Sequence, residues 1–367
     1  MLFEHSIIPK NKTLIVNRQK TFLRLDEMLL LNNLNDVKRC VALLQKDFQN
    51  FQEDSSGLFN ITEESHPIRV SQKFLIEQLD QILETETLER THYYIKRLRK
   101  SLSETKTGKV NDLNLNRWQE HDDILTDSLW MLQRRDTSGA HYGGYWGNFV
   151  PEIPRQFFKR YTKKGDWVLD TFLGSGTSLI ECRRQGRNGI GIELQERVAE
   201  FAQSTIEREP NPCKVETRVM VGDSATIDYQ SELHKMGIDQ VQFLMMHPPY
   251  WDIIKFSPDK RDLSNAQSVN EFLAMLGNIV AHTYSVLEKG RYFALVIGDK
   301  YSGGEWIPLG FLSMQEVLKK GYKLKSIIVK NFEETKGKRN QHALWRYRAL
   351  VGGFYIFKHE YIFLFKK

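Results

Sequence analysis

The length, composition and charge of the chain limit what kind of protein it can be. Its 367 residues allow a catalytic domain plus a smaller module, and 41% hydrophobic with 27% charged residues is typical of a soluble globular protein. No apolar run is long enough for a bilayer, no signal peptide is evident, and the three cysteines lack metal-ligand spacing, so we expect a cytoplasmic protein without membrane or metal. The formal net charge of +6 mildly favours a polyanionic partner.

The first part of the chain, residues 1–116, has the pattern of helices joined by polar linkers. Apolar residues recur at helical spacing from Val37 to Phe48 and from Phe74 to Ile82, and a third, basic segment runs from Thr91 to Leu102. We therefore predict a helical N-terminal region. DNA recognition, dimerisation and partner binding are all open as its role.

Short β-rich runs alternate with helical stretches from about Trp167 onward, and we predict that residues 117–367 form the catalytic domain. The runs are Trp167–Asp170, Gly189–Glu193, Arg218–Val221, Gln242–Met246, Tyr292–Ile297, Lys325–Val329 and Tyr361–Phe365. This alternation predicts an α/β fold with a mostly parallel sheet and helices on both faces. Ligands of such sheets lie beyond the carboxyl ends of the strands, so the loops there should carry the chemistry.

The first β-rich run leads into a glycine turn suited to binding a small ligand. After Asp170 come Phe172 and the turn Gly174-Ser175-Gly176-Thr177, where glycine permits a sharp bend and the next helix offers free amide groups. A dinucleotide fingerprint would need glycine where Leu179 stands, which disfavours a nicotinamide cofactor. The next two runs end near Glu193 and Asp223, so carboxylates follow three successive runs.

The stretch from Asp170 to Thr177 resembles the cofactor loop of the DNA amino-methyltransferases, which modify cytosine N4 or adenine N6. Thr171 stands where that family usually has proline. The resemblance covers about His141 to Lys367 and implies a Rossmann-like sheet that binds S-adenosylmethionine. The implied cofactor-binding residues are Asp170, Phe172, Gly174, Ser175, Gly176 and Thr177 in the loop, Glu193 for the ribose and Asp223 for the adenine. Residues 145–149 look like the family's cofactor-covering motif, with simple aromatic packing as the alternative.

The fourth β-rich run leads into His247-Pro248-Pro249-Tyr250-Trp251. Two prolines cannot continue a strand ladder, so the chain must leave the sheet in an extended form. The family has Ser, Asp or Asn, then Pro-Pro and an aromatic residue, which implies catalytic roles for His247, Pro248, Pro249 and Tyr250. The first side chain and a proline carbonyl would accept hydrogen bonds from the target amino group, and the aromatic ring would stack on a flipped base.

His247 departs from the family pattern but can fill the same role. A neutral imidazole has one acceptor nitrogen. Because an unperturbed imidazole titrates near pH ~6.5, we expect the reaction rate to fall as the pH drops through that region.

DNA contacts are predicted where basic residues are interleaved with aromatic ones, since such residues suit phosphate contacts and base stacking. Solvated loops are the alternative. The predicted DNA-binding residues are Trp251, Lys255, Lys338, Arg339, Arg346 and Arg348.

These patterns predict a DNA methyltransferase that transfers a methyl group from S-adenosylmethionine to the exocyclic amino group of a base flipped out of double-stranded DNA. Cytosine N4 is slightly favoured over adenine N6, because Tyr250-Trp251 resembles the cytosine branch. An RNA base amino-methyltransferase is one alternative. A catalytically silent recognition subunit that binds S-adenosylmethionine is another, which His247 keeps open. A homodimer and a restriction-system or defence-system partner also stay open.

Overall fold

The computed structural model describes residues 12–51, 57–62, 65–132, 135–332 and 342–367, and the chain divides into two units. The first unit runs to Gly108 and includes Leu113–Asp123, whereas the second comprises Lys109–Asp112 and Ile124–Lys367. The predicted division after residue 116 falls inside the segment that stays with the first unit. Within the described residues, no helix combines the length and hydrophobicity that crossing a membrane requires.

The first unit is mainly helical, as predicted, and has its own apolar core. Its elements are β1 (Thr13–Val16), α1 (Arg18–Leu30), α2 (Leu34–Gln49), β2 (Ile68–Ser71), α3 (Gln72–Leu83), α4 (Leu88–Ser103) and a 3-10 helix at Leu115–Glu120. Val41 of α2 and Phe74 of α3, both from the predicted helical patterns, are buried in this core. Asn33 and Ser71 cap α2 and α3 by accepting hydrogen bonds from amides of the first turn. The antiparallel pair of β1 and β2 was not predicted.

An eight-stranded sheet forms the centre of the second unit. The strands of this unit are β3 (Leu129–Trp130), β4 (Trp167–Asp170), β5 (Asn188–Glu193), β6 (Thr217–Val221), β7 (Val241–Met246), β8 (Leu287–Ile297), β9 (Lys300–Ser302), β10 (Glu305–Ile307), β11 (Lys323–Asn331) and β12 (His359–Lys366). The order across the sheet is β3-β11-β12-β8-β7-β4-β5-β6, and β9 and β10 form a separate hairpin. Only β12 runs antiparallel to its neighbours in this sheet, so the prediction of a mostly parallel sheet from seven runs is confirmed.

Helices cover both faces of this sheet, as the sequence predicts. They are α5 (Glu152–Tyr161), α6 (Thr177–Gln185), α7 (Glu196–Glu207), α8 (Tyr229–Lys235), α9 (Val269–Tyr284) and α10 (Leu309–Lys319). A further helix of this unit, α11 (His342–Gly352), precedes β12 and has mostly exposed side chains. Alternate residues of a strand point to opposite faces. Leu244 and Met246 of β7 therefore pack with α8, α9 and α10, whereas Phe243 and Met245 pack with α5 and α6.

The strand order creates a crevice between β4 and β7. From β4 the chain moves outward to β5 and β6, then returns to β7 on the other side of β4 and continues to β8. The loops after β4 and β7 thus leave the sheet in opposite directions, which is where such sheets bind ligands. Asp170 pairs in register with Met245, and the Thr171 amide donates to the Met245 carbonyl at 3.3 Å. The glycine turn and the proline loop therefore start side by side.

Candidate active site

Asp170 holds the glycine turn from beneath. Its side chain is fully buried, and its carboxylate accepts hydrogen bonds from the Phe172 amide at 3.0 Å and from the Ser178 hydroxyl. Burial raises the pKa of Asp170 to about 6, against the opposing effect of these hydrogen bonds. The structure thus gives this predicted cofactor residue a role in shaping the loop and does not place it in the wall of the cavity above.

The turn itself depends on glycine. Gly174 and Gly176 have φ values of +54° and +87°, in the left-handed region that side chains disfavour. A Cβ atom on Gly176 would also lie 2.9 Å from the Ile206 side chain. The chain can therefore turn from β4 straight into α6, and the Gly174 amide faces Glu193, to which it donates at 3.0 Å.

The aromatic segment of residues 145–149 links the glycine turn to the proline loop. The Asn148 amide group donates to the Ser175 hydroxyl at 2.7 Å and accepts from the Thr177 hydroxyl at 2.8 Å. The Phe149 ring meets the His247 ring edge-on, with centroids 5.0 Å apart. Ser175 and Thr177, predicted to bind the cofactor, thus use their hydroxyls to hold this segment in place.

A first cavity lies at the carboxyl ends of β4, β5 and β6. Four predicted cofactor residues line it, together with Tyr145 of the aromatic segment: Phe172, Gly174, Glu193 and Asp223. The Glu193 carboxylate accepts from the amides of Gly174 and Gln195 at 3.0 Å each. Burial raises the pKa of Glu193, and these two hydrogen bonds act against the shift. The wall of this cavity therefore combines carboxylates, aromatic rings and the backbone of the glycine turn.

His247 follows β7 and contacts the rings of Phe149 and Tyr250. Burial lowers the pKa of His247 to about 4; the negative charge of Glu360 opposes this shift, and the positive charge of Lys330 adds to it. The sequence-based expectation of a titration near pH 6.5 is wrong, because it took the imidazole as exposed to water. His247 is neutral at physiological pH.

Two charged residues behind the proline loop were missed by sequence reasoning. The Tyr250 hydroxyl donates to one Glu360 oxygen at 2.9 Å, and the Lys330 ammonium donates to the other at 2.9 Å. Lys330 and Glu360 are only 5% and 9% exposed. Burial is the largest influence and would raise the pKa of Glu360, but the Lys330 charge, the electrostatic effect of His247 and the two hydrogen bonds together outweigh it, so this pKa is lowered. The available sequence signal was a charge next to each apolar run, after Ile327-Ile328-Val329 and before Tyr361.

A second cavity of about 580 Å³ adjoins the first, a volume typical of small-molecule sites. His247, Pro248, Pro249 and Tyr250 line it, and so does Trp345 of α11. Both cavities share the segment 147–149, the segment 247–249 and Phe256 as walls. The proline loop is thus the common wall of a smaller cavity of about 100 Å³ and the larger second cavity. Among the described residues, no group of three or more His, Cys, Asp or Glu side chains could hold a metal ion.

The predicted DNA-binding residues have different surroundings. The Trp251 ring packs against the core and lies 3.9 Å from the Lys300 ammonium, and its indole N–H donates to the Ala266 carbonyl at 2.8 Å. The Lys255 ammonium donates to the Ser264 carbonyl. The side chains exposed on α11 include Arg346 and Arg348. Lys338 and Arg339 lie outside the described residues.

Comparison with known proteins connects the chain to enzymes that act on DNA. The sequence profile of the family described as DNA methylase matches residues 6–204, more than half of the chain, including the glycine turn but not His247. The type II methyltransferase M.MjaII of Methanocaldococcus jannaschii is 44% identical over 73 residues, which cover 20% of this chain and 13% of that protein. M.Cfr9I of Citrobacter freundii, also named a type II methyltransferase, is 33% identical over 82 residues, 22% of this chain and 26% of that protein. The chain thus spans about a quarter or less of the length of these relatives.

Solved structures with a similar arrangement share little sequence with the chain. TrmN from Thermus thermophilus covers 60% of this chain and 49% of its own, at 15% identity and a TM-score of 0.38. A methyltransferase from Pyrococcus furiosus covers 62% of this chain and 87% of its own, at 16% identity and a TM-score of 0.38.

Replacing Lys330 by Ala should destabilise the protein by about 3–5 kcal/mol, because it leaves the Glu360 carboxylate buried without its cation. The lowered pKa of Glu360 means that the parent keeps this stabilisation above the unfolded pKa of about 4.3 and loses it as the pH falls through the folded value. Chemical denaturation of parent and variant, extended from pH 8 to well below about pH 4.3, should therefore show a difference that narrows in acid as the parent loses this stabilisation.

Lys319→Ala is the matched control, because Lys319 forms an exposed pair with Glu316. Its loss should change the free energy of unfolding by about 0.5 kcal/mol or less. Equal effects of the two substitutions would contradict a stabilising role for the buried pair.

Proposed function

The chain belongs to the DNA methylase family, and we propose that it transfers a methyl group from S-adenosylmethionine to the exocyclic amino group of a base flipped out of double-stranded DNA. Membership confirms the predicted family and S-adenosylmethionine as the cofactor. The observation that carries the proposal is the position of His247, Pro248 and Pro249 in the common wall of two cavities. One cavity would hold the methyl donor and the other the methyl acceptor.

The lining of the first cavity fits the cofactor by its hydrogen-bonding groups and aromatic rings. S-adenosylmethionine, when bound, supplies a methyl group on a positively charged sulfur. Glu193 and Asp223 offer carboxylate lone pairs for the ribose and the adenine amino group. Phe172 and Tyr145 offer aromatic faces, and the bare backbone at Gly174 leaves space that a Cβ atom would take, 3.1 Å from the Tyr145 ring.

The proline loop fits the task of activating an amino group. An exocyclic amino nitrogen shares its lone pair with the base ring and is a poor nucleophile. The amino group can donate one hydrogen bond to neutral His247 and one to the Pro248 carbonyl, which localises the lone pair on the nitrogen. The Tyr250 ring lines the second cavity, where it can stack on the flipped base. Placement of the nucleophile by these groups supplies much of the rate.

We favour cytosine N4 as the target, because Tyr250-Trp251 after two prolines resembles the cytosine branch. Since Trp251 packs inward, its part in this choice would be to hold the loop and not to touch the base. Adenine N6 is the second candidate. The family match supports DNA over RNA, and the neutral acceptor His247 supports activity over a silent subunit.

We propose α11 as a DNA-contacting element. Arg346 and Arg348 are exposed on it, and Trp345 of the same helix lines the second cavity, so phosphate contacts here would lie beside the flipped base. Lys338 and Arg339 lie outside the described residues, and their contact with DNA stays a prediction. The Lys255 ammonium has a protein partner, so its proposed role is to hold the loop that follows Tyr250. Because the relatives are named type II methyltransferases, a restriction-system partner belongs to the proposal.

The proposal is tested by incubating the full chain with labelled S-adenosylmethionine and double-stranded DNA or RNA, then digesting to nucleosides for mass analysis. We expect N4-methyldeoxycytidine. N6-methyldeoxyadenosine would change the base but keep the reaction class, and labelled RNA alone or no labelled nucleoside would refute the proposal.

His247→Ala should lower the single-turnover rate by roughly a hundredfold or more. His234→Ala, which removes an exposed histidine of α8, should not.

The pH dependence of the same rate follows from the lowered pKa of His247. Because the imidazole stays neutral down to about pH 4, the parent should show no loss of rate from His247 between pH 8 and pH 5. A fall near pH 6.5 that His247→Asp abolishes would contradict a buried, neutral histidine.

Glu193→Ala should weaken S-adenosylmethionine binding at least about tenfold, since hydrogen bonds to a charged acceptor contribute about 1.5–3 kcal/mol. Calorimetry on the DNA-free protein measures this directly. Glu196→Ala, which removes an exposed carboxylate three residues further along, should bind like the parent. Equal affinity in both variants would remove the ribose role from Glu193.

Replacing Arg346 and Arg348 together by Ala should weaken DNA binding and reduce the slope of log K against log salt by about 2, because each lost phosphate contact releases about one counterion fewer. Binding measured between low and moderate salt gives the slope. The double variant Arg208→Ala/Arg218→Ala removes the same charge from exposed sites elsewhere in the second unit and should keep the parent slope. Identical slopes in all three proteins would place α11 away from DNA.

A further inference from the structure

Two side chains of the proline loop and two of the strands behind it form one hydrogen-bonded row. Lys330 of β11 donates to Glu360 of β12 at 2.9 Å, and these residues are register partners in the sheet. Tyr250 donates to the other Glu360 oxygen at 2.9 Å, and its hydroxyl oxygen lies 3.1 Å from Nε2 of His247. The row runs from a buried cation to the residue that replaces the family's usual Ser, Asp or Asn.

The proton positions along this row follow from the chemistry of its members. An ionised carboxylate can only accept hydrogen bonds, so the single proton of the Tyr250 hydroxyl must point to Glu360. The hydroxyl oxygen then has only lone pairs left for His247. A hydrogen bond between them therefore requires that Nε2 carries the ring proton, which leaves Nδ1 without one.

We propose that Lys330, Glu360 and Tyr250 fix His247 as the Nε2–H tautomer, so that Nδ1 is the acceptor for the target amino group. Lys330 and Glu360 are positioning residues, since they act through Tyr250. The part that concerns the amino group rests on the proposed function, whereas the tautomer does not. His247 lines both cavities, and Nε2 is the nitrogen turned to Tyr250, so Nδ1 is the nitrogen left for a ligand.

This row also explains why a histidine can stand at this position. Serine and aspartate present an acceptor oxygen in any orientation, whereas a neutral histidine presents its acceptor on only one of two nitrogens. The wrong tautomer would aim an N–H group at the amino hydrogens and leave the Nε2 lone pair facing the Tyr250 oxygen. The charged and titratable groups facing His247 are Glu360, Lys330 and Tyr250, and Phe149 packs on its ring.

The tautomer can be read without cofactor or DNA from long-range ¹H–¹⁵N spectra of the full chain labelled in histidine. The His247 signals are identified by their absence from His247→Asn. We expect a protonated Nε2 and an unprotonated Nδ1 at neutral pH. Glu360→Gln should shift the population to Nδ1–H, because the new amide can donate to the Tyr250 oxygen and turn the hydroxyl proton towards Nε2. Tyr250→Phe keeps the ring, removes the hydroxyl, and should give a mixture of tautomers.

Glu360→Gln should lower kcat for methylation at least about tenfold, because most of the acceptor is lost, whereas Tyr250→Phe should lower it only about twofold, in proportion to the tautomer that is lost. Both variants should leave KM for DNA within about twofold, since the surface is kept. Tyr361→Phe is the matched control. Tyr361 follows Glu360 in β12, and its hydroxyl contacts His359 and Asp299 but not His247. It should leave the His247 signals unchanged.

The outcomes separate this inference from the proposed function. An Nδ1–H tautomer or an imidazolium in the parent, or a tautomer that neither variant alters, would overturn the row as a positioning device even if a methylated base is formed. An Nε2–H tautomer that shifts in Glu360→Gln supports the row even if no nucleoside is methylated, and in that case only the proposed function fails.

Discussion

The parallel pairing of β4 with β7 is the constraint on which the rest of the site depends. Backbone hydrogen bonds hold Asp170 beside Met245. Beyond that point the two segments separate, because the strands that follow them, β5 and β8, lie on opposite sides of the β4–β7 pair. The crevice is therefore set by the backbone and by strand order. Side chains in both loops can change without moving it, which is why Thr171 and His247 can depart from the family pattern while the two loops still meet.

The aromatic segment of residues 145–149 connects the glycine turn and the proline loop. Asn148 fixes the glycine turn through two hydroxyl groups, and Phe149 packs on the ring of His247. The same stretch of chain therefore contacts both loops, and it lines both cavities. A shift of this segment would therefore change the walls of both cavities together.

The sequence predicts what depends on local pattern. The seven β-rich runs are apolar and bounded by turns, so their identification needs no tertiary information, and the same holds for the helical spacing of Val37 to Phe48. The pair of β1 and β2 escaped prediction, because two four-residue strands about fifty residues apart show their pairing only in the folded chain. The β9–β10 hairpin was missed because its strands have only three residues each.

The features of the site that the sequence did not reveal also depend on contacts between distant parts of the chain. Lys330 and Glu360 are thirty positions apart and meet only because β11 and β12 pair in register. The neutral state of His247 comes from burial, whereas a sequence supplies only the pKa of an exposed imidazole. The predicted DNA contact of Trp251 stays a prediction; its backbone turns to a φ of +51°, and its partly buried ring packs against the core, which the sequence does not reveal.

The distribution of charge divides the proposed work between the two cavities. The row behind the proline loop is neutral overall, since one ammonium balances one carboxylate and His247 is uncharged. In the proposed reaction, the row would therefore give the target amino group an acceptor without itself adding a net charge. The wall of the first cavity contains three other carboxylates, Glu193, Asp223 and Asp262, beside the guanidinium of Arg261. Attraction for the cationic sulfur of the cofactor and activation of the base are thus assigned to separate groups, so a histidine can replace a carboxylate in the loop without removing the charge that holds the cofactor.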